Sequence, residues 1–203
     1  NTTNRTYSAT HQYLDDNPTG TASNVYRISL QLSDSHGASD SAVVSTTVNN
    51  VAPTVLLSAP TSGVRGQTLT FTGSFTDPGT LDTHQVSYDF GDGTLIGLHA
   101  ITDANALAPT HVYATTGTYT VKLTVTDDDG GVSTVTKQVT IKAVDIQSDP
   151  CDSNKTALVV GGTNGNDTIR FVPQGNNGEI KVLINGVSQG IFKPTGRIIA
   201  YGL

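Results

Sequence analysis

The sequence predicts an all-β protein of short antiparallel strands stacked as sandwiches. Three observations predict it. The stretch "YTVKLTVTDDDGGV" at 119–132 alternates with period two: Tyr119, Val121, Leu123 and Val125 point one way, and Thr120, Lys122, Thr124 and Thr126 the other. That is a strand with one buried face. The composition suits tight turns between such strands: 21 glycines, abundant Thr, Ser and Val, and only 14% charged residues. No segment carries a 3.6-residue apolar period. The third observation is a repeat. "YRISLQLSDSHGAS" at 26–39 has the same pattern, Tyr-x-[Ile/Val]-x-Leu-x-[Leu/Val]-[Ser/Thr]-Asp-x-x-Gly, 93 residues earlier.

The matched positions are Tyr26, Ile28, Leu30, Leu32, Ser33, Asp34 and Gly37 against Tyr119, Val121, Leu123, Val125, Thr126, Asp127 and Gly130. Upstream of each run stands His-x-Tyr: His11 and Tyr13, then His111 and Tyr113, offset by 100. The first copy therefore has seven extra residues within "LDDNPTGTASNV", which reads as a surface-loop insertion. Further strands of the second unit are expected at 54–58, 67–75, 85–90, 94–98 and 132–141. Pro53, Pro60, Pro78 and Pro109 punctuate them. Seven or so short strands with frequent turns make an antiparallel sandwich.

"VSYDFGDGT" at 86–94, followed by "HVYATTGTYTVKLTVTDDDGG" at 111–131, resembles the PKD domain, an immunoglobulin-like β-sandwich of large extracellular proteins. The resemblance covers about residues 54–142. Tyr88 stands where that family often has tryptophan and still supplies a core aromatic. Three segments are expected: the C-terminal half of a PKD-like domain at 1–50, a complete one at 51–143, and a glycine-rich β segment at 144–203. The first lacks the strand that would carry Asp-Phe-Gly-Asp-Gly. In the last, "GNNG" at 175–178 and "NG" at 185–186 signal hairpins. "GGTNGNDTI" at 161–169 resembles an RTX calcium nonapeptide with one extra residue, but a single imperfect copy reads first as a β-hairpin with a Gly-Asn-Asp turn.

Composition excludes several functions. The net charge is −6 and the 11 Lys and Arg are scattered, so nucleic acid is not an expected partner. No apolar run approaches the ~18 residues of a membrane span. The one cysteine, Cys151, cannot form an internal disulfide. Gly-x-Ser-x-Gly, His-Glu-x-x-His and paired cysteines are absent. The five histidines lack metal-ligand spacing, and Glu179 is the single glutamate. An enzyme is not expected. "DFGDG" at 89–93 reads as a tight turn, with Phe90 inward. His111 reads as a structural histidine and Tyr113 as a corner tyrosine bonded to backbone.

The acidic triplet Asp127–Asp129 is the feature that carries chemistry. In such a sandwich the B–C and F–G loops leave at the pole where the chain comes in. That pole gathers Asp77 and Asp82 of the B–C loop (76–84), Asp127 and Asp129 of the F–G loop (127–131), and Asn49 and Asn50 of the linker. Calcium takes six to eight oxygens. The expected ligands are Asn50, Asp77, Asp82, Asp127 and Asp129, and the PKD resemblance implies calcium near that linker as well. Asp89 and Asp92 should lie at the opposite pole. A bare solvated turn stays open beside this reading, since the first copy, "DSHG", keeps only Asp34.

The expected function is a non-catalytic structural, adhesion or spacer module of a large secreted or cell-surface protein of bacterial type. Its joints would be stiffened by calcium. The alternative is an accessory polysaccharide- or protein-binding module of a secreted hydrolase. Expected partners are neighbouring domains of the same long chain, with polysaccharide or other surface proteins under the alternative.

Overall fold

The computed structural model describes residues 6–17, 20–102 and 107–203. Asn-x-Ser/Thr tripeptides arise by chance in a chain so rich in Asn and Thr, and those at Asn1 and Asn4 lie outside the described residues. All regular structure among the described residues is β, as expected. No helix is long and apolar enough to cross a membrane.

Strands β1 (Ser23–Ser33) and β2 (Ser39–Asn49) form an antiparallel ribbon, with Tyr26 opposite Thr46 and Leu30 opposite Ala42. Asp34 closes its turn. Its Oδ1 accepts the backbone N–H groups of His36 (2.8 Å) and Ala38 (2.9 Å), while Gly37 takes φ 88°. Only glycine adopts that φ without steric cost.

The second unit runs through β3 (Thr54–Ser58), β4 (Ser62–Val64), β5 (Thr68–Thr70), β6 (Thr72–Thr76), β7 (His84–Asp89), β8 (Leu95–Ile101), β9 (Thr110–Val112), β10 (Gly117–Asp127) and β11 (Val132–Lys142). One sheet has the order β4-β11-β10-β7-β8. Opposite it lie the pairs β3-β6 and β5-β9. The continuous strand expected at 67–75 is two strands. The chain changes partner at Phe71, whose N–H bonds to Pro109 O at 3.0 Å. The strand expected at 94–98 runs on to Ile101, because pairing with β7 continues to His84.

The alternation does what the pattern requires. Val121, Leu123 and Val125 are fully buried, against Phe71, Phe90, Tyr113, Val86 and Tyr88. Tyr113 Oη donates to Phe90 O at 2.9 Å, which satisfies both groups inside the core. The "DFGDG" turn is structural: Asp89 accepts Gly91 N–H, Asp92 accepts Thr94 N–H, and Gly91 and Gly93 take φ 79° and 93°. Asp92 Oδ2 also accepts from His111 Nε2 at 2.7 Å. Burial alone would raise the Asp92 carboxyl, but these hydrogen bonds hold it below its ordinary range.

Residues 144–203 fold as β12 (Val144–Asp149), β13 (Asp152–Gly161), β14 (Ile169–Gln174), β15 (Glu179–Ile184), β16 (Val187–Phe192) and β17 (Ile198–Tyr201). The sheets are β12-β13-β17 and β14-β15-β16, with Leu158, Val160, Val182 and Ile184 in a shared core. Asn185 (φ 52°) and Gly186 (φ 81°) make the expected two-residue hairpin turn. Within 161–169, Asp167 accepts from Thr163 N, Thr163 Oγ1 and Asn185 Nδ2, so its carboxylate organises a local turn. The strands that follow form an antiparallel meander, whereas an RTX ion sits between stacked turns. Cys151 is exposed and unpaired.

This segment packs directly on the sandwich. Val64, Ala157 and Val159 share a buried cluster, with Ile199 and Tyr201 against it. Arg65 Nη2 donates to Gly161 O at 2.9 Å. The approach is so close that a Cβ on Gly161 would collide with the Arg65 backbone.

Candidate metal centre

The pole of the sandwich away from residues 144–203 collects acid groups from four stretches of chain. The β6–β7 loop brings Asp77 and Asp82, and the β10–β11 turn brings Asp127, Asp128 and Asp129. The linker brings Asn50. The segment before β1 brings Asp15 and Asp16. One carboxylate oxygen each from Asp15, Asp77 and Asp82 lies within 4.8 Å of the others.

Local hydrogen bonds set each side chain. Asp77 Oδ1 accepts Gly79 N–H at 2.9 Å and its Oδ2 accepts from His84 Nε2 at 2.9 Å. The His84 ring packs on Phe75. Gly79 has no side chain, and a Cβ there would strike Oδ2 of both Asp82 and Asp15, so glycine leaves the space the two carboxylates share. Asp15 Oδ1 accepts from Val51 N at 2.9 Å, which ties the early segment to the linker. Asp129 Oδ1 accepts from Thr21 N at 2.6 Å and from Gly20 N. Asp128 Oδ1 accepts from Thr83 N at 2.9 Å.

Asp127, an expected ligand, also organises its own turn. Its Oδ1 accepts Asp129 N–H (3.1 Å) and Gly131 N–H (2.6 Å), and its Oδ2 accepts Asn50 Nδ2 at 3.1 Å. The first two bonds repeat those of Asp34, 93 residues earlier. Asp127 therefore holds the turn and orients Asn50, and it stands outside the trio of Asp15, Asp77 and Asp82. Asp89 and Asp92 take no part, as expected.

Among the described residues, Asp15 Oδ2, Asp82 Oδ2, Asp129 Oδ2 and Asn50 Oδ1 are buried at this pole with no hydrogen-bond partner. Asp129 is only 5% exposed. A buried carboxylate oxygen without a donor is expensive. Burial, then the charges of Asp129, Asp15, Asp77 and Asp128, push Asp82 up to about 7. Burial followed by the charges of Asp129 and Asp15 also raises Asp16. The site is an oxygen-only, strongly anionic set, which fits a hard divalent cation and not a soft one. The donors that would hold it are Asp15, Asp77, Asp82, Asp129 and Asn50.

Asp15 and Asp16 were not among the expected ligands. Their signal was present as "LDD", but it lies inside the insertion that reads as a surface loop. Only the folded chain brings Asp15 to Val51 of the linker.

Comparison with known proteins places the central unit. Residues 50–143 match the family model described as "PKD domain". This part of the chain is similar to PKD domains. The chain is 36% identical over 100 residues to "Microbial collagenase" of Vibrio alginolyticus, a match covering 49% of this chain and 11% of that protein. It is 25% identical to "Collagenase ColA" of Clostridium perfringens (strain 13 / Type A), over 68% of this chain and 13% of that one. The chain thus spans little more than a tenth of these curated relatives. Among solved structures it is similar to the PKD domain of an M14-like peptidase from Thermoplasmatales archaeon SCGC AB-540-F20, with 30% identity and a TM-score of 0.37, covering 44% of this chain and 92% of that one. It is also similar to the PKD1 domain of the Vibrio cholerae metalloprotease PrtV, with 26% identity and a TM-score of 0.35, covering 45% and 99%.

Proposed function

We propose that this chain is a non-catalytic accessory segment of a larger extracellular protein, in which the PKD domain acts as a spacer whose leading joint is clamped by calcium. The observation that carries the reading is the set of partnerless buried oxygens on Asp15, Asp82, Asp129 and Asn50. They come from both sides of the joint. Calcium would draw the segment before β1, the linker and two loops of the PKD domain onto one ion. That is a mechanical role: the ion fixes the angle between consecutive units. The extracellular setting is supported by the relatives, named as collagenases, and by millimolar calcium being usual outside cells.

The relatives also support the second reading, in which the segment helps a secreted hydrolase hold a fibrous protein or polysaccharide. The two readings separate experimentally. Calorimetry and small-angle scattering of the chain in millimolar calcium and in chelator test the clamp. Calcium should raise the melting temperature and narrow the distribution of dimensions, and no change in either overturns it. Co-sedimentation with insoluble collagen and with insoluble polysaccharide tests the second reading independently of the ion.

A further inference from the structure

Residues 144–203 contain the Asn-Gly steps Asn164-Gly165, Asn177-Gly178 and Asn185-Gly186. An asparagine before glycine is prone to cyclise, because a residue without Cβ leaves its backbone nitrogen open to the preceding side chain. The step needs rotation of both residues, so the fold decides where it happens. Asn185 is locked. Its Oδ1 accepts Thr168 N–H at 2.8 Å, its Nδ2 donates to Asp167 Oδ1 at 2.7 Å, and its own N–H bonds to Thr168 O at 2.9 Å. Asn177 Oδ1 accepts Glu179 N–H at 3.2 Å in the β14–β15 turn. Gly178 and Gly186 are held at φ 82° and 81° by tight hairpin turns.

Asn164 differs. It is exposed in the loop between β13 and β14, and among the described residues nothing holds its side-chain amide. The space around Gly165 is open, since a Cβ there would meet only Thr163 Oγ1, at 3.9 Å. The Gly165 N–H also faces a relay. It donates to Thr163 Oγ1 at 3.3 Å, and Thr163 Oγ1 donates in turn to Asp167 Oδ1 at 2.9 Å. The Thr163 N–H and then its hydroxyl hold the Asp167 carboxyl below its ordinary range, against burial and with help from Asn185 and the Arg65 charge. A carboxylate behind a hydroxyl makes that oxygen a better proton acceptor.

We propose that Asn164 is a self-modifying residue, in which Gly165 N, aided by the Thr163–Asp167 relay, attacks Asn164 Cγ and closes a succinimide. The N–Cγ bond forms as the Gly165 proton passes to Thr163 Oγ1 and the Thr163 proton to Asp167. The Cγ–Nδ2 bond then breaks, and ammonia leaves with that proton. Water opens the ring. Attack at Cγ gives an aspartyl linkage, and attack at the backbone carbonyl gives an isoaspartyl one. Either product sets a second carboxylate beside Asp167. The isoaspartyl product also lengthens the backbone in a loop that starts at the trailing joint, where Gly161 meets Arg65 and Gly162 N–H bonds to Tyr201 O at 2.9 Å.

The test follows all three sites in one chain by peptide mapping with mass spectrometry during incubation at mildly alkaline pH. Backbone fragmentation tells isoaspartate from aspartate. Asn164 should convert on the order of 10-fold faster than Asn185, where two side-chain hydrogen bonds must break first. In denaturant that lead should vanish, because the unfolded chain restrains none of the three. Thr163→Val should slow Asn164 severalfold and leave Asn177 unchanged, and Thr163→Ser should restore the wild-type rate. Equal rates at the three sites of the folded chain, or a lead that persists in denaturant, overturn the proposal. So does a Thr163→Val chain that converts at Asn164 as fast as wild type.

Discussion

Asp129 Oδ1 accepts the backbone N–H of Thr21 at 2.6 Å, across 108 positions of sequence. One bond thus joins the β10–β11 hairpin turn to the segment leading into β1. The other oxygen of the same carboxylate is buried without a partner. The residue that touches both units thus carries one of the partnerless buried oxygens of this pole.

Removing that charge tests the joint. In wild type, an ion at 100 times its dissociation constant contributes about 2.7 kcal/mol, a rise on the order of 5–10 °C for a domain of this size. Asp129→Asn and Asp82→Asn should each abolish most of that rise, measured by scanning calorimetry with and without calcium. Asp82→Asn should also raise the melting temperature in chelator, because it relieves repulsion among Asp15, Asp77, Asp82 and Asp129. A full calcium shift in Asp82→Asn would remove that residue from the site.

The pH dependence in chelator has a definite sign. Asp82 is pushed up to about 7, well above its value in an unfolded chain. Between about 4 and 7 the folded state therefore holds more protons than the unfolded one, and stability falls as pH rises. Asp16 shifts in the same direction. The melting temperature in chelator should drop from pH 5 to pH 7.5, and saturating calcium should flatten the drop. An upward slope in chelator would contradict the packing of these acids.

Tyr113 offers a test of the core away from the metal pole. Tyr113→Phe keeps the ring and leaves Phe90 O without its donor, a loss of about 1–2 kcal/mol. Leu123→Ala empties a fully buried position and should cost about 2–5 kcal/mol. Denaturant unfolding measures both, and neither should alter the calcium shift.

The trailing joint should behave unlike the leading one. Val64, Ala157 and Val159 close it with apolar contact and Arg65 with a hydrogen bond to Gly161 O. Gly161→Ala should force the two units apart, since its Cβ would meet the Arg65 backbone. The expected result is faster proteolysis between Lys142 and Val144 and a wider scattering profile, with or without calcium. A compact, resistant variant would show that the contact can yield.

By itself, the sequence determined the strands, the repeat and the turns. Each is local: alternation at period two sets the faces of β1 and β10, and Asp34 and Asp127 each close a turn within four residues. The PKD resemblance on "YDFGDGT" and His-x-Tyr was legible for the same reason, as turn and core chemistry written in short motifs. Tertiary structure decided which acids share a site. Asp77 and Asp82 could be assigned to one pole because sandwich loops alternate between ends. Asp15 could not, because its position depends on the long-range bond from Val51 N that brings it to the linker. That Asp127 also closes its turn through Asp129 N and Gly131 N and orients Asn50 depends on the folded chain. Splitting 67–75 into two strands likewise needed the change of partner at Phe71, a long-range pairing that no local pattern encodes.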